Sequence, residues 1–271
     1  MRVAIIHYHL QPGGVTTVIL NTLKALAGKG IKFVVLSGAR PEVDFPGQWY
    51  VVPGLQYEHQ RPQISVEQLI NEMEQAASSA LGGSPDVWHV HNHCLGKNLL
   101  LPLALHKLAQ KGARLLLHIH DFAEDGRPAN YQLMLKKIAA GNRDRLSALL
   151  YLCASHVHYA LLNGRDLNFL AISGADRARL HLLPNPVDFE ISDNREEKRV
   201  DWEFLQDKKL WLFPTRAIRR KNIGEFLLWA SLAGEENVFA TTRGPQNPAA
   251  RPQFKKWQSI ALLLNLPVYF E

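Results

Sequence analysis

VWHVHNHCLGKNLLLPLALHKLAQKGARLLLHIHD, residues 87–121, decides the fold. Val87–His91 opens it as a short apolar run of strand character. Residues 95–111 follow with leucine and alanine at helical spacing, and residues 114–120 return to an apolar strand. Strand, helix and strand inside 35 residues make a parallel crossover unit, because two parallel strands need a connection about this long.

Outward from this unit the alternation continues in both directions. Upstream, residues 2–9 predict a strand. Residues 15–27 predict a helix with Val15, Val18, Ile19, Leu23 and Leu26 on one face, closed by Gly28 and Gly30. Residues 31–37 and 49–52 predict strands, and Ser65 with Gln68 has capping-box spacing ahead of a helix over Val66–Leu81. Downstream, a helix over 131–140, a strand over 157–162, a short helix over 165–172 and a strand over 180–184 complete the first series. Strands that read as near-continuous Val/Ile/Leu predict an α/β fold with a Rossmann-like, doubly wound parallel sheet.

Residues 191–209 interrupt the pattern with Asp193, Arg195, Glu196, Glu197, Lys198 and Arg199 and few aliphatics, the composition of a solvated connector. Strands over 210–214, 238–242 and 268–270 then alternate with helices over Ile223–Leu232 and 250–264. The expected organisation is a first domain over 1–190, a linker over 191–208 and a second Rossmann-like domain over 209–271. Three strands and two helices cover both sheet faces poorly, so this second domain is expected to be incomplete. Residues 268–270 would then form an exposed apolar edge that favours self-association.

Composition narrows the function classes. The 271-residue chain is 46% hydrophobic and 21% charged, with a formal net charge of +6, which suits small anions and falls short of a dedicated nucleic-acid binder. Two cysteines, Cys94 and Cys153, support neither a disulfide framework nor a four-cysteine zinc site, and reduced thiols in a cytoplasmic protein are expected. The uncharged stretches 3–23 and 146–164 are broken by histidines, Gln11-Pro12-Gly13-Gly14 and Asn163, so buried strands explain them better than a membrane span. The basic stretch 136–145 could lie peripherally on anionic lipid, although a solvated helix face is the favoured reading.

Four places hold candidate chemistry, each at the carboxyl end of a predicted strand, where parallel sheets bind ligands. Gly13 and Gly14 precede the first helix, and the missing Cβ atoms let backbone N–H groups approach a phosphate. His89, His91 and His93 alternate through one strand end, and His118 and His120-Asp121 through the next. Asn185 sits in Pro184-Asn185-Pro186-Val187-Asp188 before the connector. Arg216 and Lys221, with Arg219 and Arg220 between them, bring cations suited to a diphosphate. A buried-strand setting makes His89 and His118 expected core residues. A zinc hydrolase built on His89, His91 and His93 is the sharp alternative, and a non-catalytic module binding sugar nucleotides or a membrane surface is another.

Taken in order, five of these features resemble a known family. They are Pro12-Gly13-Gly14, the strand Pro85 to His91, Leu117-His118-Ile119-His120-Asp121, Leu183 to Asp188, and Arg216 with Lys221-Asn222. The set resembles the GT-B fold glycosyltransferases of family four (glycosyl transferases group one). The resemblance implies retaining transfer of a sugar from a nucleotide-sugar donor, bound between two Rossmann-like domains. The acceptor, whether saccharide, lipid-linked glycan or small molecule, stays open. It implies Gly13 and Gly14 at the donor diphosphate, His120 as the catalytic residue beside the donor sugar, and Arg216 and Lys221 neutralising the leaving diphosphate. His91, Asp121 and Asn185 would line the cleft. No Asp-x-Asp pattern occurs, so no metal or other cofactor is expected. The family's second-domain carboxylate pair would lie beyond Glu271, so the isolated chain is expected to be weakly active or inactive.

Overall fold

The computed structural model describes residues 1–42, 44–187, 205, 207–245 and 250–270, in two compact units, Met1–Glu190 and Ile191–Glu271. Most of the expected connector, and Asp188 of the Pro184 motif, lie outside the described residues.

The first unit is built on a seven-stranded sheet. Its strands are β1 (Arg2–His7), β2 (Lys32–Ser37), β3 (Gln48–Val51), β4 (Val87–His91), β5 (Leu115–Ile119), β6 (Val157–Leu161) and β7 (Leu180–Leu182). They lie in the order β3-β2-β1-β4-β5-β6-β7, every neighbouring pair parallel. The chain therefore moves outward from β1 through β2 to β3, then crosses back to the other side of β1. That reversal creates a switch point between β1 and β4, and the crevice outside their carboxyl ends is where such sheets bind ligands.

Six helices accompany these strands: α1 (Gly14–Leu26), α2 (Val66–Leu81), α3 (Leu100–Gln110), α4 (Pro128–Lys137), α5 (Arg143–Leu150) and α6 (Gly164–Ile172). Strand alternation divides the core in two. Ala4, Ile6, Val34, Leu36, Trp88, Val90, Leu117 and Tyr159 face one layer with Leu69, Met73, Leu101, Leu105 and Leu150. Val3, Ile5 and Val35 face the other with Ile19 of α1. The capping box forms as its spacing predicts: Ser65 Oγ accepts from Gln68 N at 3.1 Å, and Ser65 N donates to Gln68 Oε1 at 2.8 Å.

Three local expectations change. Strand β1 ends at His7, two residues early. The third helix starts at Leu100 because Asn98 Oδ1 accepts from the backbone N–H groups of Leu100 and Leu101 at 2.9 and 3.0 Å, leaving 92–99 as a loop. Part of the uncharged stretch 146–164 is α5, started by Asn142, whose side chain accepts from Arg145 N. Both cysteines are free, but only Cys94 is buried; Cys153 is exposed.

The second unit holds β8 (Lys209–Arg216), α7 (Ile223–Leu232), β9 (Asn237–Arg243), α8 (Arg251–Leu263) and β10 (Val268–Tyr269). Its parallel sheet has the order β10-β9-β8, so β10 stands at an edge and consists of two residues. Ile223, Phe226 and Ala230 of α7 pack on Phe239 of β9. Among the described residues no helix is long and apolar enough to cross a membrane.

Candidate functional site

Strand β1 runs into an open turn at the switch point. Residues 11–14 are exposed, and Gly13 is the N-cap of α1, which has no side-chain cap and no acidic residue in its first turn. The backbone of Gly13 is extended (φ 172°, ψ 169°), a conformation any residue adopts. A Cβ on Gly13 would meet only Gln11 O at 3.8 Å, and one on Gly14 would meet nothing within 4 Å. Neither backbone conformation nor packing within the fold therefore demands glycine here. Open space in front of an uncapped helix N-terminus is what an approaching anion would use.

Beside this turn lies an array of imidazoles. Period-two alternation puts His7, His89, His91, His118 and His120 on one sheet face, and the register sets His91 opposite His118. His7, His89, His91 and His118 are buried, while His120 is half-buried at the strand end. Ring centroids lie 4.5 Å apart for His89–His91, 4.8 Å for His91–His118 and 4.4 Å for His118–His120, with His7 6.3 Å from His91. Two hydrogen bonds run across the array, His89 Nε2 to His118 Nδ1 at 3.2 Å and His91 Nδ1 to His120 Nε2 at 3.0 Å.

Burial holds all of these rings neutral. It lowers His89 to about 4, His118 to about 3 and His120 to about 4, and takes His7 and His91 well below the usual range. Repulsion between neighbouring rings adds to the effect for His7, His89, His91 and His118, whereas Asp121 opposes it at His120. At neutral pH the array offers hydrogen bonds and no charge.

His93 does not join this array. The strand ends at His91, and the His93 ring bonds Leu150 O at 2.7 Å, on the other layer. The His89/His91/His93 metal site is therefore corrected. The three-histidine group close enough to consider is His89, His91 and His118, whose nitrogens lie within 4.8 Å of one another. Its rings are inclined to one another by 13–37°. A tetrahedral zinc with bonds of about 2.0–2.1 Å needs nitrogens about 3.4 Å apart. Two of the rings already bond each other, and no carboxylate joins the group among the described residues.

Residues that sequence reading did not single out hold the site together. Asn92, at φ 55°, follows β4, and its Oδ1 accepts from the backbone N–H groups of His120 (2.9 Å) and Asp121 (3.3 Å). Tyr8 donates to Asn92 O at 2.8 Å. Asp121 pairs with Arg127 at 2.9 Å. His9 and Lys97 both reach the Tyr57 hydroxyl, at 2.7 and 2.8 Å, with Lys97 4.7 Å above the Tyr57 ring. An asparagine placed directly after an apolar strand was the one local signal for Asn92. Nothing local marks Tyr57 or Lys97.

Asn185 is exposed just beyond β7, and the adjacent Pro186 O accepts from Asn21 Nδ2 of α1 at 3.0 Å. The segment after the edge strand is thereby tied to the helix that starts at the glycines. In the second unit, Arg216 ends β8 opposite Arg243, and Lys221 lies in the single turn of 3-10 helix, Arg219–Lys221, that enters α7. This strand-end-to-helix arrangement has the same form as β1 and α1. Within the first unit, then, the fold gathers Gly13, Gly14, His91, His120 and Asp121 at the carboxyl ends of β1, β4 and β5. Within the second, it gathers Arg216 and Lys221 at the carboxyl end of β8.

A doubly wound sheet with a glycine turn at its switch point is a ligand-binding architecture shared by many activities, and comparisons with known proteins identify the family. Residues 13–186 match the profile of the glycosyl transferase 4-like domain, and the chain belongs to that family. It is 29% identical over 259 residues to mannosylglucosyl-3-phosphoglycerate synthase of Petrotoga mobilis, covering 88% of this chain and 49% of that protein. The chain thus spans about half the length of that curated relative. Among solved structures it is similar to HepE of Anabaena in complex with UDP and glucose, with a TM-score of 0.66 and 12% identity over 100% of this chain and 68% of HepE. It is also similar to WaaG, a glycosyltransferase of lipopolysaccharide biosynthesis, with a TM-score of 0.61 and 13% identity over 99% of this chain and 69% of WaaG. These likenesses show the Rossmann-like GT-B fold.

Proposed function

We propose that this chain carries the acceptor-side domain, and part of the donor-side domain, of a retaining glycosyltransferase that uses a nucleotide-sugar donor and no metal ion. The observation that carries the reading is the glycine pair at the open, uncapped start of α1. Gly13 and Gly14 leave room for the donor diphosphate, and the N–H groups of the first helical turn donate to it. Arg216 and Lys221 supply the fixed positive charge that stabilises the leaving diphosphate as the glycosidic bond breaks. His120 donates a hydrogen bond to the donor sugar near the reacting carbon. Asp121 and Asn185 line the site around it, and the buried His91 stands behind His120. Retention follows from the family resemblance.

HepE was solved with UDP and with UDP-glucose, and the Petrotoga relative is named for the synthesis of a phosphorylated, carboxylate-bearing mannosylglucoside. Calorimetric titration of the purified chain with UDP, UDP-glucose and GDP-mannose, each with and without EDTA, tests the reading. Binding of one of these nucleotides that survives EDTA is expected. No binding of any at millimolar concentration, or binding abolished by EDTA, would overturn it.

A further inference from the structure

We infer that His91 is a positioning residue that fixes His120 in a single tautomer, with its proton on Nδ1, so that His120 meets substrate as a hydrogen-bond donor and cannot serve there as a base. This inference deepens the proposed function and rests on it for the identity of the substrate. The tautomer itself can be measured without any substrate.

The argument starts from a count of protons. His91 and His120 are both neutral, so each ring carries one N–H, and their shared 3.0 Å bond between His91 Nδ1 and His120 Nε2 contains one of the two. If His120 donated through Nε2–H, the proton of His91 would sit on its own Nε2. That atom is fully buried and, among the described residues, has no hydrogen-bond partner. A buried N–H without an acceptor is rarer in proteins than a buried acceptor without a donor. The alternative places the proton of His91 on Nδ1, where it is used, and leaves a bare lone pair in the core. His120 Nε2 then accepts, so His120 must carry its proton on Nδ1.

The surroundings fit this assignment. Among the described residues His120 Nδ1 has no hydrogen-bond partner, and the ring is half-buried, so its donor is available at the carboxyl edge of the sheet. The backbone beneath the ring is held by Asn92 through the N–H of His120 at 2.9 Å. Asn92 N in turn donates to His118 O at 2.9 Å, extending the β4–β5 pairing by one step. Ring and backbone are each fixed from β4 or the residue directly after it. A donor held this way suits an oxygen acceptor such as a sugar hydroxyl or a phosphate oxygen.

The test uses the whole chain. Two-bond proton–nitrogen NMR correlations of the imidazoles at pH 8, with the His120 signals assigned by their loss in His120→Asn, read the tautomer directly. A bare, acceptor-type Nε2 and a protonated Nδ1 on His120 are expected; a proton on Nε2 overturns the inference whatever the protein binds. Calorimetry with UDP-glucose and UDP then reads the consequence. His91→Leu should weaken UDP-glucose about tenfold and leave UDP unchanged, because UDP lacks the sugar. His91→Asn, whose amide N–H can replace Nδ1–H, should restore most of the loss. Equal losses in the two variants, or equal losses for UDP and UDP-glucose, would refute the positioning role. If the wild-type chain binds neither nucleotide, the functional reading fails, while the NMR spectrum still decides the tautomer.

Discussion

Replacing Gly13 and Gly14 together by alanine separates what the fold needs from what a ligand needs. A Cβ at position 13 would make an ordinary contact with Gln11 O at 3.8 Å, and one at position 14 would point into empty space. The Gly13 backbone is extended, and Gly14 is the first residue of α1. At position 14 the change removes backbone entropy from the unfolded chain without adding strain, which stabilises by about 0.4–1 kcal/mol; at position 13, the N-cap, alanine is a poorer cap than glycine and offsets about that much. Urea unfolding should show a midpoint close to wild type. Binding should move the opposite way. Methyl groups standing where the diphosphate approaches would displace it from the helix N–H groups. A hydrogen bond to a charged group contributes about 1.5–3 kcal/mol, so losing one weakens binding by roughly ten- to a hundredfold. Calorimetry with UDP on the same preparation reads that loss. If the doubly substituted chain binds UDP as tightly as wild type, the glycines do not face the phosphates and the proposed donor site is wrong. If it is instead much less stable, the glycines are structural and the reasoning from open space fails.

Acid should unfold this protein early. Burial lowers His93 to about 4, below the usual imidazole value of about 6.5, and its buried Nδ1 has no partner for a second proton among the described residues. The folded state refuses a proton that the unfolded chain accepts, so stability is complete above pH 6.5 and is lost as pH falls toward 4. At pH 5 the loss is about 2 kcal/mol for one such histidine. His93→Gln should shrink the difference in unfolding free energy between pH 8 and pH 5 by that amount, and an unchanged difference would show that His93 titrates normally. Asn92→Ala removes the acceptor of two backbone N–H groups, so it should cost about 1–3 kcal/mol in urea and lower UDP-glucose affinity more than UDP affinity. Arg216→Ala and Lys221→Ala should each weaken UDP binding several-fold, and less so as salt rises; unaffected binding would remove the second unit's cations from the site. Transfer or donor hydrolysis, where it can be measured, should be insensitive to EDTA, and full inhibition would demand a metal.

How much of this was legible in the sequence depended on how local each cause is. The parallel units around Val87–His91 and Leu115–Ile119 were readable because burial on both sheet faces leaves continuous apolar runs. Helix α5 was not: Leu146, Leu149 and Leu150 run without a charge into the next strand, and the only start signal was Asn142. The glycine turn was readable as a turn, but the empty space in front of it appears only once Gln11 O is placed. The histidines show the limit most clearly. Alternation predicts that His89 and His91 share a face, whereas the partner of His91 depends on the β4–β5 register, which no residue within either strand encodes. That register brings His118 and His120 to His91 and leaves His93 to bond the end of α5. Residue spacing along one strand suggested a metal triad, and pairing between two strands gives a hydrogen-bonded stack instead. Under the proposed function, a neutral stack with one donor left over at the sheet edge would orient a polar substrate through hydrogen bonding. The charge that a departing diphosphate would require would then come from cations elsewhere in the protein, which is why the variants at Arg216 and Lys221 bear on the same proposal as the histidines.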